Sequence, residues 1–573
     1  MSNLKNKYQC WWLIISLCTW IPLLMSLFTI RLIWGKFYNI GQIEQHVQII
    51  FNSFILLFNG VSTGVTNYFE LFISRDYIFS YFVQVFMPVL FSYLFCFLFA
   101  KKYVYVDGGR DNAIHISGPK LYHGSKALRH ANFMLFKSRQ CKTIKIHPQV
   151  YLNKTIESGN LLIIGAQGSG KSTVTFPIVD EIIKNNNSIL IYDAKREYTE
   201  KFYRQGVGLL SPTDSRSLVW DISSDITSEN DALTIANCLI EDSSKEPHWT
   251  NGARLILSGC IVSLMRTKRI WDWMDLQQLL FDDTEKLRDE LKNHYSLAAN
   301  LIIPETKMTQ SYMTILATSL NWISYISKVW TKESCNKFSI REWVKGSYNF
   351  NGLIIPNDPK SGGLSKSICS SVLSIVVNEK LSEKDQNSKS FWFALDELAD
   401  LPKTQALSDW LTMGRSKGAR TIAGTQNISQ LESIYGVKDS ETLTSLFSVL
   451  ISLKIGSSYE TASRVSQILG SREVKRATYT HDDKGNQSKC FQKEVEALVR
   501  PEDLMQLPYS QKTGVCGYMS VSGWNSVYKL KWPYSSFPNK SEPFIPIQED
   551  SSRGSNGEKT STGRGARGRG RSC

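Results

Sequence analysis

The sequence predicts an α/β fold in which a parallel sheet carries the chemistry, an all-α domain interrupts it, and a two-helix membrane anchor precedes it. Three observations predict this. An apolar run at 161–164 leads into GAQGSGKS at 165–172, a second apolar run at 391–395 ends in Asp396 and Glu397, and residues 11–30 and 78–100 hold no charged side chain. The first two place polar groups at the carboxyl ends of strands, where open α/β sheets bind their ligands. The third has the length and composition of bilayer-crossing helices.

The N-terminal runs come first in the chain. A helix over residues 11–30 rises about 30 Å, the thickness of the hydrocarbon core. Pro22 is tolerated in such a helix, and Trp11, Trp12, Tyr77 and Tyr81 stand where interfacial aromatics stand. Lys5 and Lys7 precede the first run, as in a signal peptide, but the run outlasts a typical secretory core and passes into Arg31, Leu32 and Trp34 without a cleavage site. An uncleaved anchor is therefore expected. Lys101, Lys102 and Arg110 follow the second run, while Arg31, Lys36 and Arg75 between the runs are offset by Glu44, Glu70 and Asp76. Positive flanks on both outer sides put both termini in the cytoplasm and the loop outside. Within that loop, residues 47–58 are apolar but too few to span, and predict an interfacial or packed helix.

Gly165, Gly170, Lys171 and Ser172 satisfy G-x-x-x-x-G-K-[ST], between an apolar strand and the helical VTFPIVDEIIK. Gly165, Gly168 and Gly170 permit a tight loop whose N–H groups face nucleotide phosphates. Lys171 is expected on the β- and γ-phosphates, Ser172 on Mg²⁺ and Thr173 near the α-phosphate, with the helix N-terminus adding positive charge. ATP with Mg²⁺ is thus the expected cofactor.

Asp396 is the natural Mg²⁺-water ligand, and Glu397 beside it is placed to orient and deprotonate an attacking water. That adjacent acid separates a water-activating NTPase from a small-molecule kinase. Residues 188–193, 419–426 and 449–456 predict further strands of the same sheet. Gln426 has two readings, a sensor of γ-phosphate or water and a structural buried amide. Asp193 and Lys195 form another strand-end pair. Arg415, in GRSKGAR, is either an arginine supplied to a neighbouring subunit's phosphoryl group or, with Lys417 and Arg420, part of a basic or nucleic-acid-binding surface.

The interval between the two motifs holds too much chain for one crossover. Apolar residues at helical spacing in DALTIANCLI, ARLILSGCIVSLM and SYMTILATSLNWISYI predict an all-α domain, with Trp271 and Trp273 as packing residues. From about residue 546 the chain turns Gly/Ser-rich and ends STGRGARGRGRSC, a composition expected to be disordered. The expected domains are 1–104 (anchor), 105–225 and 341–545 (two parts of the nucleotide-binding domain), 226–340 (all-α) and 546–573 (tail).

The formal net charge is +14, from 66 Lys and Arg against 52 Asp and Glu, which favours a polyanionic partner, nucleic acid or acidic membrane. Eleven cysteines show no C-x-x-C pair and no zinc-site spacing, so neither a disulfide framework nor a zinc site is expected.

GAQGSGKS, IYDAKRE, HWTNGAR at 248–254, LDELADLPK at 395–403, GRSKGAR at 414–420 and GTQNISQL at 424–431 together resemble the coupling proteins of type IV secretion and conjugative DNA transfer, the TraD/VirD4-like group. The resemblance runs from the paired apolar runs to about residue 535. It implies a RecA-like P-loop NTPase domain, a homo-hexamer on the cell inner membrane, and ATP hydrolysis that recruits relaxase-bound single-stranded DNA and drives it into a secretion channel. It makes Arg415 an intersubunit finger and Gln426 a motif residue, and it implies relaxosome and type IV channel proteins as partners. The short Arg/Gly-rich tail departs from the long relaxosome-docking extensions of some members. Other readings of the same residues are a protein-effector secretion coupler, a nucleotide-gated membrane adapter that does little transport work, and a double-stranded DNA translocase. The last lacks here a recognisable C-terminal winged-helix module.

Overall fold

The computed structural model describes residues 16, 19–34, 42–58, 70, 78–103, 113–204, 206–241, 247–331, 334, 336–358, 361–384, 389–481, 487–511 and 513–547. The expectations for Lys5, Lys7, Trp11, Trp12, Tyr77, Arg110 and the tail beyond residue 547 lie outside them. The chain divides into two compact units, Met1–Ile114 with Lys475–Gln492, and His115–Val474 with Lys493–Cys573.

The first unit is built on apolar helices. Ile78–Tyr81 runs through a π-helical turn, Phe82–Phe86, into Met87–Tyr103. Pro88 explains the turn: it has no N–H to offer the carbonyl four residues back, so the ladder shifts register before it. Residues Phe82–Phe99 have a mean hydropathy of 2.1, and among the described residues this is the one helix long and apolar enough to cross a membrane. Of the first run, Ser16 and residues 19–30 are described. Its helix, Trp20–Ile33, has 14 residues and rises about 21 Å, less than a bilayer core.

These two helices pack on each other. Pro22 and Ser26 are buried on one, and Ser80, Gln84, Pro88, Ser92 and Cys96 on the other, every fourth residue along one face. Small side chains let apolar helices approach closely where no water drives them together. The Gln84 amide, fully buried, donates to Ser80 Oγ at 2.7 Å. Residues 47–58, expected as an interfacial or packed helix, fall in the helix Ile43–Phe58.

The second unit is organised by an eleven-stranded sheet. Across it the main strands run Val207–Leu209, Gly352–Pro356, Ser188–Asp193, Phe391–Leu395, Ala419–Thr425, Leu161–Ile164 and Val449–Ser452, all parallel. Gly514–Val521 then pairs antiparallel, followed by Ser526–Trp532 and Lys120–His123. The central strands are buried along their whole length, which is why they read as continuous apolar runs and not as alternation. Helices cover both faces, so two separate clusters of apolar side chains flank the sheet.

The helical region leaves after Val219–Trp220 and returns at Lys337–Phe338, and these short strands pair in parallel. Between them lie helices including Glu229–Leu239, Pro247–Thr267, Thr284–His294 and Lys307–Ser319. Trp271 and Trp273 are both buried, as expected of packing residues, and Trp273 meets Trp220, Trp322 and Trp330 edge-on or tilted. A buried carboxylate ties exit to return. Asp225 accepts from Trp220 Nε1 (2.7 Å), Ser339 Oγ (2.7 Å), Ile340 N (2.9 Å) and Arg341 N (3.0 Å).

The last described segment crosses the unit as an extended strap. Phe537 packs against Phe176 and Phe202, Phe544 lies 4.2 Å from the Arg196 guanidinium, and Pro546 bridges to Asp214.

Candidate functional site

The phosphate loop follows the strand Leu161–Ile164 and opens the helix Lys171–Lys184. Two of its glycines have positive φ, Gly168 at 71° and Gly170 at 90°. A Cβ on Gly170 would stand 2.4 Å from Val515 Cγ2, and one on Gly165 would stand 2.4 Å from Ser169 Oγ. The loop can close only with glycine at these places. Ser169 Oγ is buried without a hydrogen-bond partner among the described residues. The N–H groups of Gly165, Ala166 and Ser169 are spent on the Thr425, Lys454 and Ala166 carbonyls, which fix the loop; the glycine turn, the unpartnered hydroxyl and the helix N-terminus still make a fitting cradle for phosphate oxygens.

Lys171 Nζ folds back on the loop, donating to the Gly165 carbonyl at 3.0 Å and lying 3.6 Å from Glu397 Oε2. Burial holds its pKa below the usual ammonium range, with Glu397 pulling it back up. Thr173 lies in the first turn of the helix, its N–H bonded to the Gly170 carbonyl.

One strand, Ala419–Thr425, separates the phosphate-loop strand from the strand Phe391–Leu395. Asp396 and Glu397 therefore emerge at the same carboxyl edge as the loop, one strand away. The close approach is enforced at Gly424, where a Cβ would stand 2.3 Å from the Asp396 carbonyl. Glu397 is buried, and its Oε1 accepts the Gln426 N–H at 3.2 Å. Gln426 thus meets Glu397 through its backbone.

Sequence reasoning passed over Glu197. Ser172 Oγ donates to Glu197 Oε2 at 2.7 Å, so a second carboxylate stands at the hydroxyl expected to meet Mg²⁺. The signal was present in IYDAKRE, four residues past a strand end, but only the fold brings that acid against Ser172. Asp193, singled out with Lys195, is fully buried and receives Thr199 N and Oγ1 at 2.7 and 2.8 Å, capping the helix Glu197–Phe202. Burial pushes Asp193 up to about 6. Burial, then the negative charges of Asp193 and Glu197, push Asp396 up to about 7, against the pull of Lys195 and Lys171.

This concentration of acids fits a divalent cation. Among the described residues no three His, Cys, Asp or Glu side chains are grouped to hold a metal alone. That suits Mg²⁺, which keeps several waters and is bound through a hydroxyl, a carboxylate and phosphate oxygens.

Arg415 is not brought to this site within the chain. It is exposed, it precedes the strand Ala419–Thr425, and its Nε donates to Ser158 Oγ at 3.0 Å, at the sheet's opposite edge. A seven-residue strand separates the edges by about 20 Å. Its neighbours are committed elsewhere. Arg420 is buried against Glu157 at 3.3 Å, and Lys417 Nζ donates to the Glu383 carbonyl. The reading of Arg420 as part of a basic surface is thereby corrected: Glu157, unremarked in the sequence, holds it inside.

Comparison with known proteins bears on this arrangement. Residues 145–523 match the family model described as the type IV secretion-system coupling protein DNA-binding domain. The chain is 28% identical over 402 residues to the coupling protein TraD of Escherichia coli (strain K12), covering 68% of this chain and 54% of TraD. It therefore spans about half the length of that relative. The fold is similar to the bacterial conjugative coupling protein TrwBdeltaN70 in its unbound monoclinic form (TM-score 0.66, 24% identity, 77% of this chain and 98% of that one). It is similar also to TrwB in complex with ADP and Mg²⁺ (TM-score 0.65, 24% identity, 77% and 99%).

Proposed function

The chain belongs to the TraD/TrwB family of type IV secretion-system coupling proteins, and from that premise we propose that it is an inner-membrane coupling ATPase that recruits relaxase-bound single-stranded DNA and drives it into a secretion channel. The observation that carries the reading is the convergence of Lys171, Ser172, Asp396 and Glu397 at one edge of the sheet.

In this reading the N–H groups of Gly168, Gly170, Lys171 and Ser172 and the Lys171 ammonium hold the phosphates, and Ser172 and Asp396 hold Mg²⁺. Bound Mg²⁺ neutralises phosphate charge and reverses the repulsion that now burdens Asp396. Lys171 exchanges its contacts with Gly165 and Glu397 for phosphate oxygens. Glu397, released from that ion pair and still held by the Gln426 N–H, orients water and takes its proton. Arg415, far from its own chain's site, serves the site of a neighbouring subunit, which requires a ring such as a homo-hexamer.

The membrane part of the proposal is a two-pass anchor with both termini cytoplasmic. It is supported by the apolar helix at 78–103 and by the small-residue face on which Trp20–Ile33 packs. Relaxosome and channel proteins are the proposed partners.

The test is ATP hydrolysis by the full chain in detergent micelles, with and without single-stranded DNA, beside Lys171→Ala. DNA-stimulated hydrolysis that the substitution abolishes supports the proposal. Hydrolysis indifferent to DNA favours a protein-effector coupler, and none under any condition favours a nucleotide-gated adapter.

A further inference from the structure

We propose that the surface formed by the helix Gly124–Lys137 and the hairpin Lys142–His147/Val150–Asn153 docks on anionic phospholipid headgroups of the membrane that holds the anchor. The proposal goes beyond the ATPase reading and does not depend on it. It rests on the anchor reading of the N-terminal helices.

Charge is the first observation. From residue 112 to residue 156 the chain has no Asp or Glu and eight Lys or Arg: Lys120, Lys126, Arg129, Lys137, Arg139, Lys142, Lys145 and Lys154. All eight are exposed. Set against a net charge of +14, this one stretch supplies more than half the excess. Two acids reach it from packed elements: Glu181 accepts the Lys145 N–H at 3.0 Å, and Glu473 accepts from Ser117 Oγ at 3.0 Å, at the end of the stretch away from the hairpin.

Aromatic exposure is the second. The helix buries Ala127, Ala131 and Leu135 along one stripe, so the face turned to solvent should be polar. Instead Phe136 is 82% exposed and Phe133 58% exposed. They border an open groove of about 920 Å³ whose walls also include Lys137, Arg139, Lys142 and Tyr151. Large apolar side chains standing out of a basic rim mark a docking face. Aromatic rings with Lys and Arg around them are the combination that inserts at a headgroup boundary.

Position in the chain is the third and selects the partner. The apolar helix ends at Tyr103 and the basic helix begins at Gly124. The 20 residues between them reach at most about 75 Å, so the bilayer is always present at high effective concentration. Juxtamembrane clusters of Lys and Arg bind anionic leaflets in this way. Nucleic acid or a second copy of the chain would also answer to charge and aromatics, but neither is tethered to this surface.

The experiment places a benzophenone photocrosslinking amino acid at position 136 of the full chain, reconstituted into vesicles. One set holds phosphatidylglycerol with phosphatidylethanolamine, the other phosphatidylcholine alone. Irradiation is expected to give a phospholipid adduct in the anionic vesicles. Its yield should fall about tenfold in phosphatidylcholine and in the combined Lys137→Glu, Arg139→Glu, Lys142→Glu variant. ATP hydrolysis by that variant should be unchanged, since none of the three touches the nucleotide site, and this guards against misfolding. A crosslink to a second copy, a crosslink to added single-stranded DNA, or no lipid adduct in a membrane-integrated chain would each overturn the proposal. Extraction of the chain from vesicles by alkaline carbonate would remove the anchor reading, and the proposal with it.

Discussion

Asp225, fully buried, and Asp396, half-buried at a strand end of the central sheet, are held in opposite ways. Four donors surround Asp225, and Arg341 also reaches its carbonyl at 2.6 Å. Burial raises its pKa while those hydrogen bonds pull it back. Asp396 is pushed up by burial and then further by like charges, to about 7. A carboxylate whose donors are all in place is finished as structure. One pressed among other acids is incomplete, and its missing partner is a cation.

Substitutions can break or sharpen this contrast. The largest effect should come from Glu397→Gln, which keeps the shape of the site but removes the base. ATP turnover should fall by about 10²–10⁴-fold, while binding of a fluorescent ATP analogue persists. Retained turnover would mean that another group activates water.

Asp225→Ala should be costly in a different currency. Removing one acceptor leaves four buried donors unmet, so the loss of stability should be about 3–5 kcal/mol by chemical denaturation. A loss near zero would mean that the donors find water and that the carboxylate ties nothing.

Asp396→Asn should do the reverse in nucleotide-free protein. A carboxyl whose folded pKa is raised makes the native state bind more protons than the unfolded state. Between about pH 4 and pH 7 stability therefore falls as pH rises, and above that window the penalty is complete. The substitution should flatten that slope and raise the melting temperature at pH 7.5, by about 1–2 kcal/mol in free energy. ATP with Mg²⁺ should stabilise the parent chain more than the variant. An unchanged slope would remove Asp396 as its source.

The smallest change in stability is expected for Arg415→Ala, within about 0.5 kcal/mol because the side chain is exposed. Its turnover should nevertheless drop. Mixing it with Lys171→Ala chains should restore some activity if the arginine acts between subunits. No recovery on mixing would return Arg415 to a role within its own chain.

Local sequence disclosed the candidate site because its parts are local. A strand, a glycine loop and a Lys-Ser pair fall within a dozen residues, and Asp396 and Glu397 close a run of five apolar ones. Parallel strands buried on both faces also announce themselves. What stayed hidden depends on distant partners. Glu197 gains meaning only against Ser172, Arg420 only against Glu157, and Asp225 only against residues 339–341. The acid-free stretch at 112–156 was concealed by averaging charge over the whole chain.

The pairing of Val219–Trp220 with Lys337–Phe338 has a consequence for how this architecture tolerates change. Because the helical region departs and re-enters at adjacent points, its length is almost uncoupled from the sheet. Doubling the number of residues between two fixed ends adds only about 0.6 kcal/mol of closure entropy. The sheet is thus a socket with a fixed aperture, and the helical region is a cassette that evolution or an engineer can enlarge, trim or exchange without redrawing the edge that carries Lys171 and Glu397.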